Sequence, residues 1–479
     1  MLRLISNSIA ACDGLQRREL LRIGGLSALA TAGLPFLPRP LPAEEFSRPR
    51  LFPGKAKAVI LLNLFGGPSH LDMFDLKPHA PKEVRGEFQP IASTQPDAIV
   101  CEHLPQMAAR MHRAALIRTH SHPYNSHNPY NTLTGFSGGN DRENYFSKRT
   151  DHPSIGSVMQ YAGLKSQGVP TYVGMPSYPG YSQSLRRAGP YGGYLGAQYD
   201  PVHTICSPQF ARQFNQDGEF YNPANIPTGE PLLPSAGELP EITLNRMDRR
   251  RSLLDQFDSQ LASLEATRQT TTMQHFQKEA LELLTSPRLR NAFDLSQESD
   301  ATRDRYGRNL YGASTLLARR LVESGVKFIT VTTESKGVGH WDSHNNNFNL
   351  LKNGLLPILD QMYSALIDDL SERGLLDSTL VVTMGEMGRS PKVNGAAGRD
   401  HWPQCGFSLF TGGGAKAGVV LGKTDNIAAY PTDRPVSSGD LVATIYELLG
   451  IDSRLIVHDL TNRPNHVCHG GAPITEIMS

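Results

Sequence analysis

Apolar residues first gather in Ala58-Val59-Ile60-Leu61-Leu62-Asn63-Leu64-Phe65, a run without alternation. A strand with one wet face would alternate, so this run is predicted to be a central parallel strand covered on both sides. A similar block, Ala114-Ala115-Leu116-Ile117-Arg118, follows. From Leu310 the period becomes helical, runs to Glu323 and stops at Gly325. Lys327 to Thr333 then reads as a strand, Leu355 to Arg373 as a helix and Thr379 to Met384 as another strand. Strand, helix and strand joined by short turns is the pattern of a right-handed parallel crossover, so the expected fold class is α/β with a mostly parallel sheet.

Three stretches depart from that pattern. Residues 163–240 are rich in Gly, Pro and Tyr and lack any period, which predicts an irregular insertion packed on the core or lining a cleft. Residues 249–285 read as a long helix or helical hairpin, with Leu253, Leu254, Phe257, Leu261 and Leu264 on one stripe. That stripe is either core or a contact in a homo-oligomer. At the start, Arg17-Arg18 abuts the weakly apolar, Gly- and Ala-rich segment Ile23 to Leu34, followed by prolines and Ala43. Residues 1–43 resemble a bacterial twin-arginine export signal, leaving 44–479 as one large domain. The expected partner is the twin-arginine export machinery, and the expected location is periplasmic or cell-surface, with anchoring to the membrane if the signal stays uncleaved.

Composition narrows the classes. The 479 residues, 39% hydrophobic, suffice for a sizeable core. A net charge of +1, from 47 basic and 46 acidic residues, supplies no field for a polyanion, so nucleic acid is not an expected partner. Cys101, Cys206, Cys405 and Cys468 have no close metal-binding spacing and leave room for one or two disulfides.

In an open α/β sheet, ligands bind outside the carboxyl ends of the strands. Candidate chemistry falls on those loops. The only two tryptophans, Trp341 and Trp402, stand beside His340 and His401. Between them the strand Thr379 to Met384 runs into Gly385-Glu386. Asp342, His344, Glu386 and His401 are therefore expected to converge on a divalent cation, whether Zn, Ca, Mg or Mn. After the first strand comes Gly66-Gly67-Pro68-Ser69-His70-Leu71-Asp72. Ser69 and Asp72 have the spacing of a helix cap, with Ser69 as a nucleophile the second choice, and His70 and Asp72 are candidate site residues. His120, His122 and His127 follow the second apolar block; either they line the same site or they form a hydrogen-bonded loop, with His127 the first choice for chemistry.

The twin arginines, the Gly-Gly-Pro-Ser-His-Leu-Asp loop, Trp-Asp-Ser-His, Met-Gly-Glu-Met-Gly-Arg-Ser-Pro and Gly-Arg-Asp-His-Trp-Pro together resemble the bacterial DUF1501 family. That family is grouped with the alkaline phosphatase and sulfatase superfamily, which implies a three-layer α/β/α sandwich around a mostly parallel sheet. The resemblance implies that Asn63 stands where the superfamily has a metal-binding aspartate at the end of its first strand. Asp342 with His344, and His401, match one metal site; Glu386-Met387 replaces an Asp-His pair, so a second site is reduced. Leu133-Thr134-Gly135 survives, but the Cys or Ser of the sulfatase nucleophile motif does not. A covalent route would need Ser126 or Ser69, and a metal-activated water is the simpler proposal.

These readings lead to an exported metal-dependent hydrolase of sulfate or phosphate esters, small or polysaccharide, with His127 or His70 as general acid-base. The alternative is a non-catalytic binding or cell-surface protein of the same fold.

Overall fold

The run Ala58–Asn63 forms strand β1, and every residue of it is buried. The computed structural model describes residues 53–137, 146–181, 185–207, 227–233, 286–334 and 340–479, all within one compact unit. The remaining strands of the main sheet, with one hairpin, are β2 (Ala114–His120), β3 (Tyr172–Met175), β4 (Val202–His203), β5 (Phe328–Thr332), β6 (Thr379–Met384), β7 (Gly388–Val393), β8 (Arg399–Trp402), β9 (Gly406–Thr411) and β10 (Val419–Leu421).

The main sheet has eight strands in the order β10-β2-β9-β6-β1-β5-β3-β4. β1 lies parallel to β5 and β6, β3 is parallel to β5 and β4, and β10 is parallel to β2. β9 alone runs against its neighbours in this sheet. The chain reaches β9 straight from the β7–β8 hairpin, without the crossover that a parallel return needs.

Alternation along β1 assigns its two faces. Ile60 and Leu62 pack with helices α2 (Leu310–Glu323) and α3 (Leu356–Glu372), while Val59 and Leu61 pack with α1 (Ile155–Tyr161) and α4 (Ser438–Leu449). The result is an α/β/α sandwich, and it explains why β1 has no polar face. Local signals set the helix ends. Asn309 accepts the amides of Tyr311 and Gly312 at the start of α2, and a Ser437–Asp440 capping box opens α4, which closes on Gly450 at φ 78°.

Some expectations change. The stretch 163–240 was expected to be irregular, yet it supplies β3 and β4 to the sheet. β3 is only four residues long, too short to show a period, and its order comes from pairing with β5. Cys101, Cys206, Cys405 and Cys468 are all free and buried, so the disulfides that the sequence left room for do not form among them. Ser69 and Asp72 open no helix; the Ser69 hydroxyl donates to the Asp72 carboxylate at 2.6 Å within a run of turns. The export signal and the 249–285 helix lie outside the described residues.

His120, at the end of β2, is buried with its Nε2 3.0 Å from the Ser438 hydroxyl. Burial, with His122 nearby, pushes its pKa down to about 3. The unfolded chain therefore binds a proton that the folded one refuses. Stability from this group is complete above about pH 6.5 and is lost as pH falls toward the folded value, by about 1.4 kcal/mol per pH unit. Thermal melts between pH 7 and 5 should show stability falling with pH, and His120→Asn should reduce the slope by about one proton. An unchanged slope would remove His120 from the acid response.

Candidate metal centre

Glycine sets the floor of the site. Gly66 and Gly67 follow β1 with φ of 114° and 80°. A Cβ on Gly66 would lie 2.5 Å from the backbone nitrogens of Trp341 and Asp342, so only glycine lets this turn pack flush against the 340–344 loop. The same loop is pinned by Trp341, whose amide donates to Phe65 O at 2.7 Å and whose indole donates to the Thr333 hydroxyl at 3.0 Å. Asp342 is thereby held at the carboxyl edge of β1.

Four side chains converge there. His127, Asp342, His344 and His401 each offer a ligand atom, all within 4.8 Å of one another. His127 Nε2 is 3.1 Å from Asp342 Oδ2, His344 Nε2 is 3.2 Å from Oδ1, and His401 Nε2 is 2.8 Å from His127 Nε2. Behind two of these rings stands a carboxylate. Glu386 Oε1 is 3.0 Å from His127 Nδ1, and Asp400 Oδ1 is 3.0 Å from His344 Nδ1. A carboxylate facing Nδ1 accepts a hydrogen bond from it, which keeps the ring proton on Nδ1 and leaves the Nε2 lone pair facing inward, the arrangement that orients histidine ligands around metals. Arg389 completes the frame. Its guanidinium donates to Asp342 Oδ1 at 2.8 Å and to the carbonyls of Gly66, Gly67 and Arg399.

Charge in this space is unbalanced toward acceptors. Burial would lower the His127 pKa, but hydrogen bonds with Asp342 and Glu386 overcome it and raise it. Burial would likewise raise the Asp342 pKa, yet bonds with His127 and His401 and the Arg389 charge hold it far below the usual carboxylate range. These two shifts favour a protonated His127 facing an ionised Asp342, whereas burial lowers the His401 pKa. Three imidazoles with one carboxylate are a fitting donor set for a divalent cation. The four donor side chains keep 18% to 34% of their surface exposed, so the centre opens to solvent on one side.

The structure sorts the predicted residues. Asp342, His344 and His401 come together, and His127 joins them as a fourth donor group, with its outer nitrogen already held by Glu386. Glu386 itself is fully buried and is not among the four; Oε1 also accepts the Gly66 amide at 2.7 Å. Asn63 is buried at the end of β1 with its Nδ2 3.5 Å from the Thr332 hydroxyl. Asp72 is taken up by Arg399, to which both its oxygens are bonded at 2.8 and 2.9 Å, and Ser69 donates to the same carboxylate. His70 is fully buried with Nε2 on Ala428 O at 2.8 Å, and burial lowers its pKa. Neither Ser69 nor His70 is presented to a substrate. Arg389, Arg399 and Asp400, which sit inside the motifs Gly388-Arg389 and Gly398-Arg399-Asp400-His401, were given no separate role from the sequence, and the structure places all three in the frame of the cluster.

The chain belongs to the family described as DUF1501, a protein of unknown function, whose model matches residues 56–478. No curated protein matches it. Among solved structures it is similar to a phosphonate monoester hydrolase from Silicibacter pomeroyi, at 14% identity over 88% of this chain and 78% of that one, with a TM-score of 0.35. A PsFucS1 sulfatase from Pseudoalteromonas sp. is similar at 11% identity over 91% and 72%, TM-score 0.36. A TAB5 alkaline phosphatase mutant is similar at 12% identity over 83% and 99%, TM-score 0.36. At such scores the chemistry has to be read from this site's own geometry.

Removing one of four donors should weaken metal binding by about 3 kcal/mol, roughly 100-fold. His401→Ala and His127→Ala should therefore each lose metal and melt lower when both are measured on the same sample. Glu386→Gln and Asp400→Asn should weaken binding less, by about 10-fold to 100-fold. His112→Ala, on an exposed residue bonded to Thr94, should stay within about 0.5 kcal/mol of wild type. Equal metal content in wild type and His401→Ala would exclude the centre.

Proposed function

We propose that this chain is an exported metal-dependent hydrolase of sulfate or phosphate esters, on small molecules or polysaccharide. The observation that carries the reading is the open cluster of three imidazoles and one carboxylate at the carboxyl edge of the sheet. Four protein donors can fill a tetrahedral zinc-type ion, so hydrolysis at this centre requires a fifth position, on its solvent-exposed side, for water or the ester oxygen. His127, Asp342, His344 and His401 would hold the ion. Three nitrogen donors favour a zinc-type ion over magnesium or calcium, which prefer oxygen. Bound there, the cation would polarise an ester oxygen and lower the pKa of water toward neutrality.

The chain's own residues do the rest. Glu386 and Asp400 hold the His127 and His344 rings in place, and Arg389 fixes Asp342 while offsetting its charge. His340, beside the cluster, accepts the Asp342 amide at 3.2 Å and is kept neutral by burial, its pKa pushed down to about 3. With Ser69 bonded to Asp72 and both buried, Ser69 is not available as a nucleophile, which leaves a metal-activated water as the simpler route beside a hydroxyl such as Ser126. The same burial of Ser69 and His70 is what supports the second reading, a binding protein that keeps the centre without turnover. The ester class itself rests on the sequence motifs' resemblance to the alkaline phosphatase and sulfatase superfamily.

Purified protein should carry about one zinc-type ion per chain and hydrolyse a member of a sulfate and phosphate ester panel. A chelator should abolish that activity and added Zn2+ should restore it. Metal without turnover on any ester would favour the binding role, and absence of metal would remove the hydrolase. Export rests on Arg17 and Arg18; the Arg17→Lys, Arg18→Lys double variant should stay in the cytoplasm, and unchanged fractionation would remove that part.

A further inference from the structure

Three segments distant in sequence meet at one buried guanidinium. Arg399 is fully buried and bonded through Nε and Nη2 to both oxygens of Asp72, itself buried. The Asp72 carboxylate is further fixed by the Ser69 hydroxyl at 2.6 Å and by Asn347 Nδ2 at 3.0 Å. The remaining donors of Arg399 go to the carbonyls of Val84, Ser390 and Pro391. The guanidinium is thus saturated by protein, and none of it faces the cluster. Its backbone does other work. The Arg399 amide donates to Ser343 O at 3.0 Å, between Asp342 and His344. Beside it, the amides of Asn346 and Asn347 donate to Ala396 and Ala397, and Asn394 Nδ2 donates to His344 O at 3.0 Å. The fit is tight, since a Cβ on Gly398 would come within 1.8 Å of His344 O.

We infer that Arg399, locked by Asp72, is the positioning residue of the centre: it holds the 342–344 loop and β8 at the spacing where Asp342, His344 and His401 share one point. His401 lies two residues along β8 from Arg399, on the same face of the strand. Any slip of the Arg399 side chain is passed through its backbone to Ser343 on one side and to His401 on the other. Lysine cannot replace it, because an ammonium offers no planar fork to bridge a carboxylate and three carbonyls. Asp72 then takes part in the centre by aligning it, and not as a ligand. The inference rests on the metal-centre reading above.

A buried ion pair also stabilises the fold, so the test needs a matched pair elsewhere. Arg319, 1% exposed, forms ion pairs with Asp369 of α3 at 2.8 Å and with Glu323 of its own helix α2 at 2.7 Å. Zn2+ affinity is to be measured by competition with a chelating dye, at a temperature where every variant is folded, on wild type, Arg399→Lys, Asp72→Asn and Arg319→Lys. All three variants should melt lower. Arg399→Lys and Asp72→Asn should weaken Zn2+ binding by about 10-fold or more, while Arg319→Lys should match wild type within about twofold. If Arg399→Lys fails to fold, Asp72→Asn alone decides. Unchanged affinity in the Arg399 and Asp72 variants, or equal weakening in the Arg319 variant, would overturn the positioning role. Wild-type protein that binds no Zn2+ would instead overturn the metal centre itself.

Discussion

A carboxylate and three imidazole nitrogens cannot share a space a few ångströms across unless positive charge lies among them. His127 Nε2 faces both Asp342 and His401 at hydrogen-bond distance, and its other nitrogen is already committed to Glu386. Within the chain, Arg389 meets part of the demand from one side. The other side is open to solvent, which is where a cation and then a substrate would enter. Much of the surrounding structure serves to keep these acceptors facing one another: two glycines with positive φ that let the Phe65 turn pack against Asp342, a buried tryptophan beneath the loop, and carboxylates behind two of the rings.

That arrangement costs stability. Two arginines and several carboxylates are taken out of water, and a buried ion pair seldom repays its desolvation when compared with apolar packing. Arg389 and Arg399 are tolerated because every guanidinium nitrogen reaches a carbonyl or carboxylate oxygen. They tie the Gly66–Asp72 turn, the 340–347 loop and the β7–β8 hairpin into one unit. Rigidity at the carboxyl edge follows from that satisfaction and from the apolar layers on both faces of β1.

The fold was legible wherever order is local. The unalternating run of β1, the helical period that stops at Gly325 and the strands at Phe328 and Thr379 all leave a signature within a few residues. β3 did not, because a four-residue strand takes its order from a neighbour in the sheet. For the site, strand-end logic gathered Asp342, His344 and His401. It placed Asp72 among the candidate site residues with no sign of the arginine bonded to its carboxylate, which lies 327 residues away. It offered His127 as an acid-base and Glu386 as a ligand because the contact that turns one toward the other spans 259 residues. Such long-range pairings fix which nitrogen or oxygen faces the site, and no local pattern carries them.

The most direct measurement is anomalous diffraction at the zinc absorption edge, on crystals of the protein exposed to Zn2+. One strong peak is expected about 2.0–2.2 Å from the Nε2 atoms of His127, His344 and His401 and from a carboxylate oxygen of Asp342. A map with no peak at these four side chains, or with its peak on other residues, would contradict the metal centre.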